Sequence, residues 1–169
     1  MRNNFNCIFS YRSTQEETEL LLKENDFEAW LVSPCPTYFI DKKMLDLCQT
    51  LKIISTPSTG SNHIDVSCLS EKEIELFTLR GTDTVEKIYA SSEFTFNLMI
   101  STIRNTPFAF QSALAGKWRD VEAKYRGREL NGLKLGIIGF GRIGRNLARY
   151  SNAFGMKIFT YDPYVKVDV

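Results

Sequence analysis

The sequence predicts an α/β protein built on parallel sheets. Apolar runs of strand length alternate with segments of helical period from residue 5 to residue 90. A second alternation closes the chain: the run Lys134 to Ile138, a turn with three glycines, a helical stretch, and the run Met156 to Tyr161. Capping residues stand where the helical stretches begin. Strands alternating with helices imply parallel sheets covered on both faces.

The elements follow in order. Phe5 to Ser10 is an apolar run suited to an opening strand. Ser13 can cap a helix, with Glu16 as its capping-box partner, and Leu20, Leu21 and Leu22 supply the buried face. Ala29 to Val32 reads as a second strand, ended by Pro34 and Pro36. Asp41 caps a helix carrying Met44, Leu45, Leu47 and Cys48. Leu51 to Ser55 is a third strand, followed by a loop from Thr56 to Asn62. A short helix near Val66 to Leu69 leads to a fourth strand, Ile74 to Leu79.

The pattern changes near Gly81. Ile88, Phe94, Leu98, Ile100 and Ile103 recur near the helical period, predicting one long helix from Ile88 to Arg104. Pro107 ends it or opens another helix from Phe108 to Leu114. Residues 116–131 are polar, an ordered connection anchored by Trp118 and Tyr125.

Composition narrows the function classes. The 169 residues are 43% apolar and 24% charged, as in a soluble globular protein. A net charge of +1 gives no electrostatic footprint for nucleic acid or an anionic membrane. The basic cluster Arg126, Arg128 and Lys134 is diluted by Glu129 and reads as a solvated surface. No stretch approaches the ~20 apolar residues of a membrane span, and Met1 to Phe5 lacks the apolar core of a signal peptide. Cys7, Cys35, Cys48 and Cys68 form no C-x-x-C pair, and a single histidine cannot complete a zinc site. Reduced, mostly buried thiols in a cytoplasmic protein without a metal are the expectation.

The chemistry concentrates in Lys134-Leu135-Gly136-Ile137-Ile138-Gly139-Phe140-Gly141-Arg142-Ile143-Gly144. This is G-x-G-x-x-G between a strand and a helix, the expected setting of a dinucleotide fingerprint. Gly139 permits the tight turn, Gly141 lets the backbone approach a pyrophosphate, and Gly144 lets the helix pack on the strand. The amides of Arg142 and Ile143 open the helix, where free N–H groups and the dipole favour an anion. Asp162, ending the second apolar run, can accept from both hydroxyls of an adenosine ribose and repels a 2′-phosphate, so NAD is favoured over NADP. The bland reading is three glycines serving a turn that binds nothing. The flanking strand, helix and acid weigh against it.

Three segments resemble a known family, the D-isomer-specific 2-hydroxyacid dehydrogenases, and within it the phosphoglycerate-dehydrogenase-like branch. They are Leu130 through Gly144 to Pro163; Ser58-Thr59-Gly60-Ser61-Asn62-His63-Ile64-Asp65; and Ala90-Ser91-Ser92-Glu93-Phe94-Thr95. They fall in the family's order and cover essentially the whole chain. The resemblance implies a flavodoxin-like or Rossmann-like substrate domain, residues 1–90. An interdomain helix, a connection and the first βαβ unit of a truncated Rossmann NAD-binding domain would follow in residues 91–169. It implies NAD-dependent interconversion of a 2-hydroxy acid and a 2-keto acid.

In such enzymes the loop matching Ser58, Thr59 and Gly60 offers backbone N–H groups to the substrate carboxylate. From its residues alone that loop reads as an ordinary turn, although adjacent amides beside a glycine can form an anion-binding concavity. The family's catalytic Arg, Glu and His lie downstream of the segment matching Asp162, so no catalytic residue is assigned and the 169 residues alone are expected to be inactive. His63 reads as a structural loop histidine, and Arg142 and Arg145 as pyrophosphate neighbours or helix surface. Incomplete cover of Leu135, Ile137, Ile138 and Ile158 predicts that the isolated chain is a dimer or larger, or is marginally stable. The segment Phe108 to Leu114, which resembles part of the family's dimer interface, points to a homo-oligomer. The competing expectation is a catalytically inactive NAD-binding protein or assembly partner. A bare nucleotide module is a third, but it has no use for the Ser58 to Asp65 loop.

Overall fold

The computed structural model describes residues 5–117, 119 and 122–165. Trp118 and Met1 to Asn4 lie outside these. The chain divides into two compact units, Met1–Val85 and Glu86–Val169.

The first unit holds helices α1 (Gln15–Glu24), α2 (Lys42–Leu45), α3 (Val66–Glu71) and most of α4 (Asp83–Glu86). Its strands are β1 (Ala29–Leu31), β2 (Ile53–Ser55) and β3 (Glu75–Phe77), parallel in the order β1-β2-β3. Parallel neighbours need a crossover, and the helical segments between them supply it. Helix α1 is capped one residue later than expected. Thr14 Oγ1 accepts from Glu17 N at 3.2 Å and Glu17 returns a carboxylate to Thr14 N at 2.9 Å. Ser13-x-x-Glu16 and Thr14-x-x-Glu17 are both capping-box sequences, and the frame that seats Leu22 in the core prevails. Asp41 caps α2 as expected, accepting from Met44 N at 2.9 Å.

Two expectations fail in this unit. Phe5 to Ser10 forms no strand and its aromatic side chains are exposed. The sheet is also covered on one face, not two. Register places Trp30, Ile54 and Leu76 side by side, facing a core that includes Leu22, Met44, Leu45 and Leu69. Leu31, Ile53 and Phe77 alternate to the other face and are exposed. The buried apolar residues of α1, α2 and α3 all enter one cluster, on the first face.

The second unit holds α5 (Ala90–Ile103), α6 (Thr106–Leu114), α7 (Glu122–Tyr125), β4 (Lys134–Ile138), α8 (Arg142–Ala153) and β5 (Lys157–Tyr161). β4 and β5 pair in parallel, with Leu135 opposite Ile158 and Ile138 opposite Tyr161. Ile137 is buried, whereas Ile138 on the alternate face is 89% exposed beside exposed Phe159 and Tyr161. Pro107 stands in the first turn of α6, where its missing N–H costs nothing.

The buried stripe of α5 differs from the expected one. Phe94 and Leu98 are exposed. Ser92 is fully buried, and Phe96 stacks edge-on against Tyr150 and Phe154 with centroids 5.8 and 5.1 Å apart. Helix α5 is apolar on nearly every face, so periodicity alone cannot orient it; packing on α8 decides. In the connection, Tyr125 is half-buried and Gly127 lies flat on the end of α5, where Arg128 N donates to Ile103 O at 3.0 Å. Of the four thiols, Cys48 and Cys68 are buried and Cys7 and Cys35 exposed, so "mostly buried" holds for half of them.

Candidate functional site

The site begins where β4 ends. Gly139 N donates to Tyr161 O at 2.8 Å, the last bond of the β4–β5 ladder. Gly139 then adopts φ +91°, which residues with a Cβ rarely reach, and swings the chain into α8. Helix α8 begins with Gly141 at its N-cap, and no side chain caps it. Its first internal bond runs from Arg145 N to Gly141 O at 2.9 Å. The N–H groups of Arg142, Ile143 and Gly144 donate to no described residue, as the geometry of a helix start requires.

Each glycine has a distinct structural reason. A Cβ on Gly141 would meet nothing within 4 Å, so the space above the turn is open. A Cβ on Gly144 would overlap the Gly139 carbonyl oxygen and lie 3.3 Å from Ile137 Cγ2. Gly144 is therefore what allows α8 to sit against the turn.

Asp162 stands across this turn, immediately after β5. Its Oδ2 accepts from Phe140 N at 2.6 Å, and its Oδ1 from Tyr164 N at 2.8 Å and Val165 N at 3.2 Å. Backbone donors at Tyr164, then Phe140, hold its carboxyl below the usual carboxylate range, so the group is ionised at neutral pH. An open turn, three free N–H groups and an adjacent carboxylate suit a dinucleotide: pyrophosphate on the helix start, ribose hydroxyls on the acid. Arg142 and Ile143 thus contribute main-chain donors. The Arg142 guanidinium itself donates to Ile88 O, and Arg145 lies 3.8 Å from Glu86. Both side chains belong to the surface of this unit.

In the first unit, Ser58, Thr59 and Gly60 follow β2. Ser58 Oγ donates to Gly60 O at 2.6 Å and lies 3.1 Å from Thr56 Oγ1, whose residue is buried. Ser58 O accepts from Leu79 N at 2.8 Å, which ties the loop to the segment after β3. The N–H groups of Ser58, Thr59 and Gly60 donate to no described residue. These are the free amides that an anion-binding loop needs. His63 is structural at its backbone, its carbonyl accepting from Ile40 N at 2.9 Å, while its Nε2 is buried without a partner. Sequence reasoning missed the internal tie from Asp162 to Phe140. The G-x-G-x-x-G spacing carries no signal for it.

Fold and turn together define a Rossmann-type α/β protein with a glycine turn suited to a dinucleotide. Residues 2–111 match the family model for the D-isomer specific 2-hydroxyacid dehydrogenase catalytic domain, and residues 96–169 match that family's NAD binding domain. The chain belongs to the D-isomer specific 2-hydroxyacid dehydrogenase family, whose cofactor is NAD.

The chain is 32% identical over 151 residues to D-3-phosphoglycerate dehydrogenase of Methanocaldococcus jannaschii, covering 89% of this chain and 27% of that protein. It is 37% identical over 120 residues to hydroxypyruvate reductase of Thermotoga maritima, covering 71% of this chain and 37% of that protein. Among solved structures it resembles NAD-dependent formate dehydrogenase from Staphylococcus aureus in complex with NAD, with TM-score 0.76 and 26% identity over 89% of this chain and 44% of that one. It also resembles D-lactate dehydrogenase from Aquifex aeolicus complexed with NAD and lactic acid, with TM-score 0.71 and 28% identity over 88% and 42%. The chain thus spans between about a quarter and under half the length of these relatives. Among the described residues, no helix is long and apolar enough to cross a membrane.

Proposed function

We infer that these residues form the substrate loop and the nucleotide half-site of an NAD-dependent oxidoreductase that interconverts a 2-hydroxy acid and a 2-keto acid. Residues 1–90 belong to the substrate domain, and residues 91–169 hold the interdomain helix, the connecting segment and the start of the NAD-binding domain. The observation that carries the reading is the pairing of an uncapped helix start at Gly141 to Gly144 with the ionised Asp162 across the turn.

NAD, when bound, supplies the hydride acceptor. The chain's own groups bind and orient. The amides of Arg142, Ile143 and Gly144 hold the pyrophosphate, Asp162 the adenosine ribose, and the amides of Ser58, Thr59 and Gly60 the substrate carboxylate. No side chain of these 169 residues is assigned to proton transfer, so turnover by this chain alone is not expected. Calorimetric titration with NADH and NADPH tests the reading. NADH binds and NADPH does not, because a 2′-phosphate would meet the Asp162 charge. Equal binding of both, or of neither, overturns it.

The second reading, an inactive NAD-binding or assembly protein, draws on the exposed apolar faces. Phe108, Phe110 and Leu114 project from α6, each more than 60% exposed, and Ile138, Phe159 and Tyr161 line the open face of β4 and β5. Surfaces of this kind self-associate. Light scattering on the purified chain is expected to give a dimer or larger, and a monodisperse monomer contradicts it. A cytoplasmic location fits both readings.

A further inference from the structure

The ribose role given to Asp162 leaves unexplained why its carboxylate is already engaged on both oxygens. One oxygen takes Phe140 N, in the middle of the glycine turn; the other takes Tyr164 N and Val165 N, in the segment leaving β5. Between the last ladder bond at Gly139 N and the first bond of α8 at Arg145 N, this is the one tie among the described residues that a residue of the turn makes through its N–H. Apart from the close seat of α8 at Gly144, the turn has few other ties among the described residues. Gly139 and Gly141 carry no side chains, a Cβ at either would touch nothing, and α8 has no side-chain cap. A glycine-rich segment without anchors samples many conformations, and ordering it costs free energy when a ligand binds.

We propose that Asp162 is a positioning residue as well as a ribose acceptor: its carboxylate bridges the strand exit to Phe140 N and holds the glycine turn in its anion-receiving shape before any nucleotide arrives. A carboxylate presents about four lone-pair sites, so accepting three N–H groups leaves capacity for ribose. The donors that bridge it also hold its carboxyl below the usual range, which keeps the bridging oxygen charged. Coenzyme preference and turn geometry then depend on one side chain. A substitution that removes the charge to admit a 2′-phosphate also loosens the pyrophosphate cradle. The ribose half of this statement rests on the function proposed above; the turn-holding half does not.

The test uses the 169-residue chain and D162N, which keeps the shape but turns an amide toward an N–H donor. If Asp162 only reads ribose, D162N removes a negative charge beside an anion site, and inorganic pyrophosphate binds as well or more tightly. If Asp162 shapes the turn, pyrophosphate binds about tenfold more weakly despite the lost charge, a difference of ~1.4 kcal/mol. Because the amide keeps a single acceptor oxygen, at least one of the Phe140 and Tyr164 amides of the ligand-free variant also exchanges with solvent at least about tenfold faster.

A second measurement needs no variant: NMR coupling across the hydrogen bond from Phe140 N to the Asp162 carboxyl carbon in the ligand-free chain. Its presence supports the bridge. Its absence, or unchanged exchange and undiminished pyrophosphate binding in D162N, overturns it. A chain that shows the coupling but ignores NADH upholds the bridge and overturns the nucleotide reading, so the two fail separately.

Discussion

Replacing Gly144 by alanine is expected to abolish NADH binding and to destabilise the second unit by about 1–3 kcal/mol, the usual cost of forcing extra volume into a close contact. The added Cβ would overlap the Gly139 carbonyl oxygen and press on Ile137 Cγ2 at 3.3 Å. The carbonyl belongs to the turn and cannot rotate away as a flexible side chain would, so α8 must move. Moving α8 carries the amides of Arg142 and Ile143 out of line with the turn and with Asp162. Gly141→Ala is the informative contrast, because its Cβ meets no protein atom. That variant should fold as stably as the parent within about 1 kcal/mol, allowing for the ordinary Gly-to-Ala backbone effect, and lose NADH affinity because the methyl group occupies the ligand's space. Calorimetry and a denaturant midpoint on the two variants separate packing from ligand access.

Ile54→Ala is expected to remove about 2–5 kcal/mol of stability, the range for truncating a fully buried aliphatic side chain. Ile54 is the central residue of the central strand, 0% exposed, with Trp30 and Leu76 at its flanks. Alanine leaves a cavity among residues drawn from helices on one side and a three-stranded sheet on the other, and neither side can collapse without losing register. The neighbouring Ile53, which alternates to the exposed face, should cost far less when truncated. Urea unfolding at an unchanged slope measures both. Equal losses at Ile53 and Ile54 would contradict the one-sided sheet.

The second unit was the more legible from sequence. Three glycines at fixed spacing, bounded by apolar runs, mark a strand, a helix start and a second strand in order, because Gly139 and Gly144 answer steric demands that other residues meet poorly. Caps were legible where one candidate exists, as at Asp41, and slipped by one where Ser13 and Thr14 both qualify.

Phe5 to Ser10 has a strand's composition but is not part of a β-ladder among the described residues, and composition alone cannot supply the neighbouring strand that a ladder requires. In α5, apolar residues on nearly every face hid the packing side, which the contacts of Phe96 with Tyr150 and Phe154 define. The hydrogen bond from Phe140 N to Asp162 was invisible for a different reason. It joins residues distant in sequence through a main-chain donor, and a main-chain donor leaves no mark on residue choice.

If Gly139 to Gly144 and Asp162 form a working nucleotide half-site within these 169 residues, NADH must register at that turn. Amide shifts of the labelled chain on addition of NADH test it most directly. Saturable shifts concentrated at Gly139 to Gly144 and Asp162 to Val165 are expected with NADH and not with NADPH. Saturable shifts elsewhere with this turn unmoved, or no shifts at millimolar NADH, would contradict it.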